Sequence, residues 1–289
     1  MLTELRRHPR FWFTALLFAL VIVSFLAFSQ AVNRSVVVAF LDVGQGDAVY
    51  IKGPNGNQIL YDAGPPSGAV LRELARVMPI WDRSIDVLVM SHPDLDHSGG
   101  IPDVLKRYRV GVLLEPGKFS GNGAYEAVKN AAERYGVRRL DAFAGMRIEL
   151  GGGAYADILY PRPDTDVRLL DPNDASGVLR FVSNGTSVLL SGDLSRTYER
   201  ALALTLGDTL RSDILKLGHH GSRTSSDPLW LSTVRPKEAI ISAGRGNRYG
   251  HPHKETLEGI TLAGIPYLTT FASGTIIFRL DEQTFRLVP

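Results

Sequence analysis

The stretch Ser91-His92-Pro93-Asp94-Leu95-Asp96-His97-Ser98-Gly99-Gly100 constrains this chain more than any other. It follows the apolar run Ile85 to Met90, whose single charge is Asp86, and a run of this kind ending in Ser-His-Pro reads as a buried strand opening into a loop. Four side chains of metal-binding type then arrive within six residues, His92, Asp94, Asp96 and His97. Two glycines let the backbone turn before Ile101-Pro102-Asp103-Val104-Leu105 starts a helix. An extended, irregular segment aims side chains at more than one centre, which suits a pair of divalent ions about 3.5–4 Å apart.

The chain has 289 residues and no cysteine, which excludes disulfides, thiolate ligands and a cysteine nucleophile. Its formal net charge of +2 resides in the N-terminal segment, where Arg6, Arg7 and Arg10 face only Glu4. The remainder is balanced, so net charge gives no support for nucleic-acid binding. Phe11 to Phe28 carries no charge and is long enough to cross a bilayer as a helix. The arginines before it predict a cytoplasmic N-terminus and an extracytoplasmic remainder. A cleavable signal peptide, with small-residue sites near Ala27-Phe28-Ser29 or Ser29-Gln30-Ala31, is the competing reading and makes the protein secreted. The expected division is therefore residues 1–33 as cytoplasmic tip and anchor, and residues 34–289 as one folded domain.

Beyond the anchor, strands are expected at Val36 to Leu41, Ala48 to Lys52 and Gln58 to Tyr61, with turns at Asp42 to Asp47 and Pro54 to Asn57. A helix follows at Ala69 to Val77, then the strand and metal-type loop, a strand at Val110 to Leu114 and a helix at Tyr125 to Tyr135. Short strand-like pieces fill Val137 to Leu159, and Pro161 to Pro172 reads as an exposed loop. A hairpin around Asn184-Gly185 ends at Ser191-Gly192-Asp193, and a strand at Asp213 to Leu217 delivers His219-His220-Gly221-Ser222. Helices at Thr197 to Leu206, Pro228 to Val234 and Glu255 to Ala263 alternate with strands at Glu238 to Ser242, near Tyr267 and at Thr275 to Leu280. Metal-type residues fall repeatedly at strand ends. The pattern is that of an α/β protein, a four-layer αββα sandwich with helices outside and two stacked sheets within.

These residues carry a family resemblance. His92-x-Asp94-x-Asp96-His97, with Asp62-Ala63-Gly64 before it and Ser191-Gly192-Asp193 after it, resembles the metallo-β-lactamase fold superfamily. Phe40-Leu-Asp-Val-Gly-Gln-Gly-Asp47, Asn173-x-x-Ser176, His219-His-Gly-Ser222 and Tyr249-Gly-His-Pro252 are similar to the hydrolase domain of ComEC-type DNA-uptake proteins. The resemblance implies two divalent ions, zinc or manganese: His92 and Asp94 on one, Asp96 and His97 on the other, Asp193 bridging, and His219 completing the set. Three aspartates against two divalent cations leave a charge of about +1. No histidine lies between His97 and His219, where the superfamily usually supplies one, so Asn173, His220 or His251 is expected to fill the gap. Of the pair, His219 is the expected ligand and His220 the substrate contact, in either order.

Two such ions lower the pKa of a shared water and polarise a phosphoryl or carbonyl oxygen. Asp96 or Asp193 would accept the remaining proton. Ser222, Arg245 and Asn247 are candidates for holding a phosphate. Asp62 is expected to steady a ligand histidine, and Asp42 and Asp47 to order their loop rather than bind metal. The expected activity is that of a membrane-anchored phosphodiesterase acting on DNA, with the Arg134, Arg138, Arg139 and Arg245, Arg248, Lys254 clusters as local basic surfaces. Hydrolysis of a small or surface-attached phosphodiester, lactone or ester, and a tethered binding module with impaired catalysis, are the alternatives, because fold does not determine substrate.

Overall fold

The computed structural model describes residues 9–33, 35–117, 119 and 121–288. Two sheets form its centre. The first has eight strands in the spatial order β15 (Thr284–Val288), β14 (Ile276–Asp281), β1 (Val36–Phe40), β2 (Val49–Lys52), β3 (Gln58–Tyr61), β4 (Ser84–Val89), β5 (Arg109–Glu115) and β6 (Arg138–Asp141). The second has seven: β13 (Tyr267–Thr269), β12 (Glu238–Ile241), β11 (Ile214–Lys216), β10 (Thr186–Leu190), β9 (Val178–Ser183), β8 (Ala154–Tyr160) and β7 (Arg147–Gly151).

Period-two alternation within these strands produces the layers. Val36, Val38 and Phe40 point into one apolar cluster with Ile51, Leu179, Phe181, Val188 and Leu190, which is the seam between the sheets. Their neighbour Ala39 joins Leu60 and Leu88 in a second cluster under the helices Ala69–Val77 and Ile101–Arg107. Leu189 and Leu215 face the opposite way, under the helices Arg196–Leu206 and Pro228–Val234. Helix, sheet, sheet and helix are thus stacked as the residue pattern anticipates. The Tyr61 hydroxyl also donates to the Gly177 carbonyl across the seam at 2.7 Å.

Strand direction places the chemistry. β3, β4 and β5 run parallel in the first sheet, and β10, β11 and β12 run parallel in the second. Their carboxyl ends carry Asp62, the loop from Ser91, Asp193 and the His219-His220 pair. Open α/β sheets bind their ligands at such ends.

Three expectations change. The loop after β4 is not wholly irregular: Leu95–Ser98 closes one helical turn, with Ser98 N–H donating to the Asp94 carbonyl at 2.8 Å. His92 and Asp94 precede that turn, whereas Asp96 and His97 ride on it. A last strand, β15, pairs with β14 beyond the expected end of regular structure; its short, half-exposed Thr-Phe-Arg-Leu-Val run is too weak a signal to stand out. The third change concerns the membrane. A helix does form, Pro9–Asn33, and its large apolar side chains from Phe11 to Val23 are 43–68 % exposed. However, no helix among the described residues is long and apolar enough to cross a membrane. Arg6 and Arg7 lie outside the described residues.

The turn after β1 is pressed against the metal-type loop at Gly46. Its φ is +131°, and a Cβ there would lie 2.0 Å from the Asp96 carbonyl oxygen, an acceptor for Asp47 N–H at 3.1 Å. Gly46→Ala is therefore expected to destabilise the fold by about 2–4 kcal/mol, read as a lowered urea midpoint at unchanged m-value.

Candidate metal centre

The site is built from behind. Asp62 ends β3 with φ 58° and is buried. Its carboxylate accepts from the Ser91 backbone N–H at 2.7 Å and hydroxyl at 2.6 Å, and holds His97 Nδ1 at 2.9 Å. His220 is held in the same manner by a different group: its Nδ1 donates to the Ser242 carbonyl at 2.9 Å. It adopts φ 54°, and His219 before it φ 49°, a left-handed pair that non-glycine residues rarely enter. With each Nδ1 committed, each neutral ring turns an Nε2 lone pair toward the same point.

That point is dense with donors. His97 Nε2 lies 3.2 Å from His220 Nε2 and 3.2 Å from Asp193 Oδ1. His220 Nε2 lies 3.3 Å from Asp96 Oδ2 and 3.4 Å from Asp193 Oδ2. Tetrahedral ligands held 2.0–2.2 Å from an ion are about 3.3–3.6 Å from one another. His97, His220 and Asp193 stand pairwise near this spacing, and Asp96 does so toward His220. Gly192, φ 53°, brings Asp193 into range, since a Cβ there would meet the Ser176 hydroxyl oxygen at 2.8 Å.

A second, looser set surrounds the other side of Asp193. Ser91 donates its hydroxyl to Asp62, so its oxygen accepts from His92 Nδ1 at 2.9 Å. His92 Nε2 is then a buried acceptor without a partner, and Asp94 Oδ2 is 3.9 Å from it. His219 Nε2 is 3.8 Å from Asp193 Oδ2. Ser176, buried, supports this side: its hydroxyl lies 3.3 Å from His92 Nδ1 and accepts from Asp193 N–H at 3.1 Å. Both members of the His219-His220 pair thus approach Asp193, His220 in the tight set and His219 in the loose one.

Asp47 and Lys216 were not expected here. Asp47, His97, Asp193 and His220 each place a donor atom within 4.8 Å of one another. Asp47, however, approaches the Nδ1 edges, 3.3 Å from His220 and 3.8 Å from His97, and its carboxylate is ion-paired with Lys216 Nζ. Its backbone does order the loop, donating to Asp96 and accepting from Gly64 N–H at 2.8 Å. Lys216 is fully buried on β11, with Nζ 3.9 Å from Asp193 Oδ1. Its signal in the sequence is a lysine inside the apolar strand that precedes His219, since a buried lysine needs a partner.

Other candidates are placed elsewhere. Asn247 spends its side chain on its own loop, donating to the carbonyls of Gly244 at 2.9 Å and His251 at 2.6 Å. Arg245 donates to the Phe271 carbonyl at 2.6 Å, and Ser222 pairs with the Thr224 hydroxyl at 2.9 Å. Each of these three has a partner within its own loop region. His251 is positioned by rings, 5.5 Å from His219 and 6.1 Å from His220 between centroids, and lines the approach. Arg139 is engaged by Glu115 at 2.8 Å, which removes it from the expected basic cluster.

Burial opposes charge on His97 and His220, but Asp193 and Asp47 outweigh it and hold both rings well above the ordinary histidine value. Burial, with His97 beside it, drives His92 down to about 3. Burial also opposes ionisation of Asp193, yet His220 and His97 keep its carboxyl well below the usual range.

A fold of two packed sheets, with imidazoles and carboxylates converging at their shared edge, defines a class before any comparison. The family model for the metallo-beta-lactamase superfamily matches residues 41–245, and the chain belongs to that superfamily. Its relatives are competence proteins. It is 30 % identical over 270 residues to ComE operon protein 3 of Bacillus subtilis (strain 168), covering 87 % of this chain and 34 % of that protein. It is 32 % identical over 250 residues to competence protein ComA of Neisseria gonorrhoeae, covering 86 % of this chain and 33 % of that protein. The chain thus spans about a third of the length of these relatives. The metallo-beta-lactamase fold protein YhfI from Bacillus subtilis superposes with a TM-score of 0.56 at 12 % identity, covering 86 % of this chain and all of that one.

Two measurements probe the centre. Raised pKa values place a proton between the His97 and His220 Nε2 atoms, 3.2 Å apart, when no ion is bound, and an ion binds only the deprotonated rings. Affinity for a divalent ion is therefore expected to rise with pH by up to about 10-fold per unit, the slope for one proton displaced, and calorimetry in two buffers should count it. Lys216→Met leaves Asp47 buried without its counter-charge and is expected to cost about 3–5 kcal/mol in chemical denaturation, with partial recovery in Asp47→Asn/Lys216→Met.

Proposed function

We propose that this chain is a metal-dependent phosphodiesterase acting on DNA through a dinuclear centre, with zinc or manganese as the ions. The observation that carries the reading is the meeting of the His97 and His220 Nε2 atoms at 3.2 Å among the carboxylates of Asp96 and Asp193. His97, His220, Asp96 and Asp193 would hold one ion. His92, Asp94 and His219, sharing Asp193, would hold the other. When bound, such ions make water acidic enough to supply hydroxide near neutral pH and draw charge from the substrate's phosphoryl oxygen.

The protein's own groups do the rest. Asp96, whose side chain is 29 % exposed and whose Oδ2 lies 3.3 Å from His220 Nε2, is the carboxylate open to solvent and would accept the proton that the attacking water gives up. Asp62 and the Ser242 carbonyl maintain ring orientation through the reaction, with no reorganisation at the reacting end. His92, driven down by burial, stays neutral and therefore competent as a donor of its lone pair. The competence relatives and the oxygen-rich donor set support a phosphodiester over a peptide or sugar substrate.

The solvent-facing N-terminal helix supports attachment to a membrane. A helix apolar on all sides needs an apolar environment, and ten of its large apolar side chains have none within the protein.

The full chain, loaded with zinc or manganese, should cleave single- or double-stranded DNA, and chelation or Asp193→Ala should abolish turnover. Asp62→Asn, which loosens His97, is expected to lower activity by about 10–100-fold. Turnover of a lactone or small ester alone would replace the nuclease reading with the smaller-ester one. Tight ion binding with no turnover of any ester would make the chain a binding module.

A further inference from the structure

Beside the Asp96 carboxylate the surface opens into a cavity of about 420 Å³, within the range of small-molecule sites. Pro65 and Leu95 contribute apolar surface, Tyr249 an aromatic ring, and Gln45, Asn247 and Arg248 the polar groups beside Asp96. Leu95 is 57 % exposed and Tyr249 47 %, although each is a large side chain that folding normally covers. Leu95 adjoins Asp96 in the chain, so the turn that supplies a metal ligand also presents an uncovered apolar side chain.

Three further details limit what fits. The Tyr249 ring stacks on His251 with 22° between planes, which holds it in a defined orientation near the imidazoles. Arg248 donates to the Tyr249 hydroxyl at 2.6 Å, and its guanidinium lies 4.8 Å from the ring centroid, so a cation and a π surface occupy one corner. Gln45 spends its Oε1 on Gly244 N–H at 3.2 Å, which fixes its side chain in the wall. Apolar contact, a π face and a guanidinium together complement a flat heterocycle that bears carbonyl oxygens.

We propose that this cavity binds an unpaired nucleobase adjacent to the scissile phosphate, so that the preferred substrate is single-stranded DNA. The inference rests on the phosphodiesterase reading and names its substrate class. Bases in a duplex are already stacked on one another and offer no face to Tyr249, whereas a single strand does. Stacking of this kind tolerates any base, because all four have a π face, and the cavity thus selects strandedness rather than sequence.

The test is binding of the full chain to a phosphorothioate deoxyoligonucleotide and to the same backbone with abasic sites, followed by fluorescence anisotropy. Wild type is expected to favour the base-bearing strand by roughly 5- to 150-fold. Tyr249→Ala and Leu95→Ser should each shrink that ratio, with the abasic affinity unchanged, and Tyr249→Phe should retain it. Thermal melts establish that the variants are folded. Equal affinity of wild type for the two strands, an unaltered ratio in Tyr249→Ala, or tighter binding of duplex than of single strand overturns the proposal. Base discrimination without hydrolysis of any phosphodiester defeats the catalytic reading alone; hydrolysis without base discrimination defeats this one alone.

Discussion

Two imidazoles held from behind are what the rest of this molecule serves. His97 is committed to Asp62 and His220 to the Ser242 carbonyl, so neither ring is able to turn its Nε2 away from the other. A pair of lone pairs 3.2 Å apart is unfavourable unless a proton or a cation lies between them. Protonated, the site repels itself less through its carboxylates but more through its rings. An ion resolves both repulsions together, which is why the acidic residues on one side and the raised pKa values on the other describe the same demand for positive charge.

The two rings come from different sheets, and so do the charges that accompany them. Asp47 follows β1 and Lys216 ends β11, so their buried ion pair crosses the seam between the halves of the sandwich. The apolar contacts of that seam supply the bulk of the cohesion, but they have no directional preference. Register at this edge is set instead by polar links across the seam: Asp47 with Lys216, and Tyr61 with the Gly177 carbonyl. Each is buried and each would be costly to leave unmatched, which makes a slipped arrangement unfavourable.

Much of the fold is legible in the residues. Period-two runs separated by Asn-Gly and Asp-Ala-Gly turns give the strands, and the return of metal-type residues at strand ends gives the edge where chemistry gathers. The motif from His92 to His97 is legible for the same reason: its donors are close in sequence, and their chemistry shows without any tertiary knowledge. What is obscure depends on packing. Whether Asp47 orders a loop or enters the cluster is decided by Lys216, more than 160 residues away, and neither residue announces the other. Arg245 and Asn247 have the right chemistry for a phosphate, yet carbonyl groups of their own neighbourhood claim them first. The helix from Pro9 displays the opposite case: its composition suggests a bilayer crossing, yet no helix among the described residues is long and apolar enough for one.

His97 and His220 are separated by 123 positions along the chain. An ion shared between them would be a covalent-like staple across that interval, and the entropic penalty of bringing such distant segments together grows only slowly with their separation. The long excursion through β5 to β11 is thus cheap to fasten at a single point, and its intervening loops are free to vary in length without disturbing the fastening. A scaffold of this type tolerates insertion and exchange on its flanks while its catalytic edge keeps one geometry.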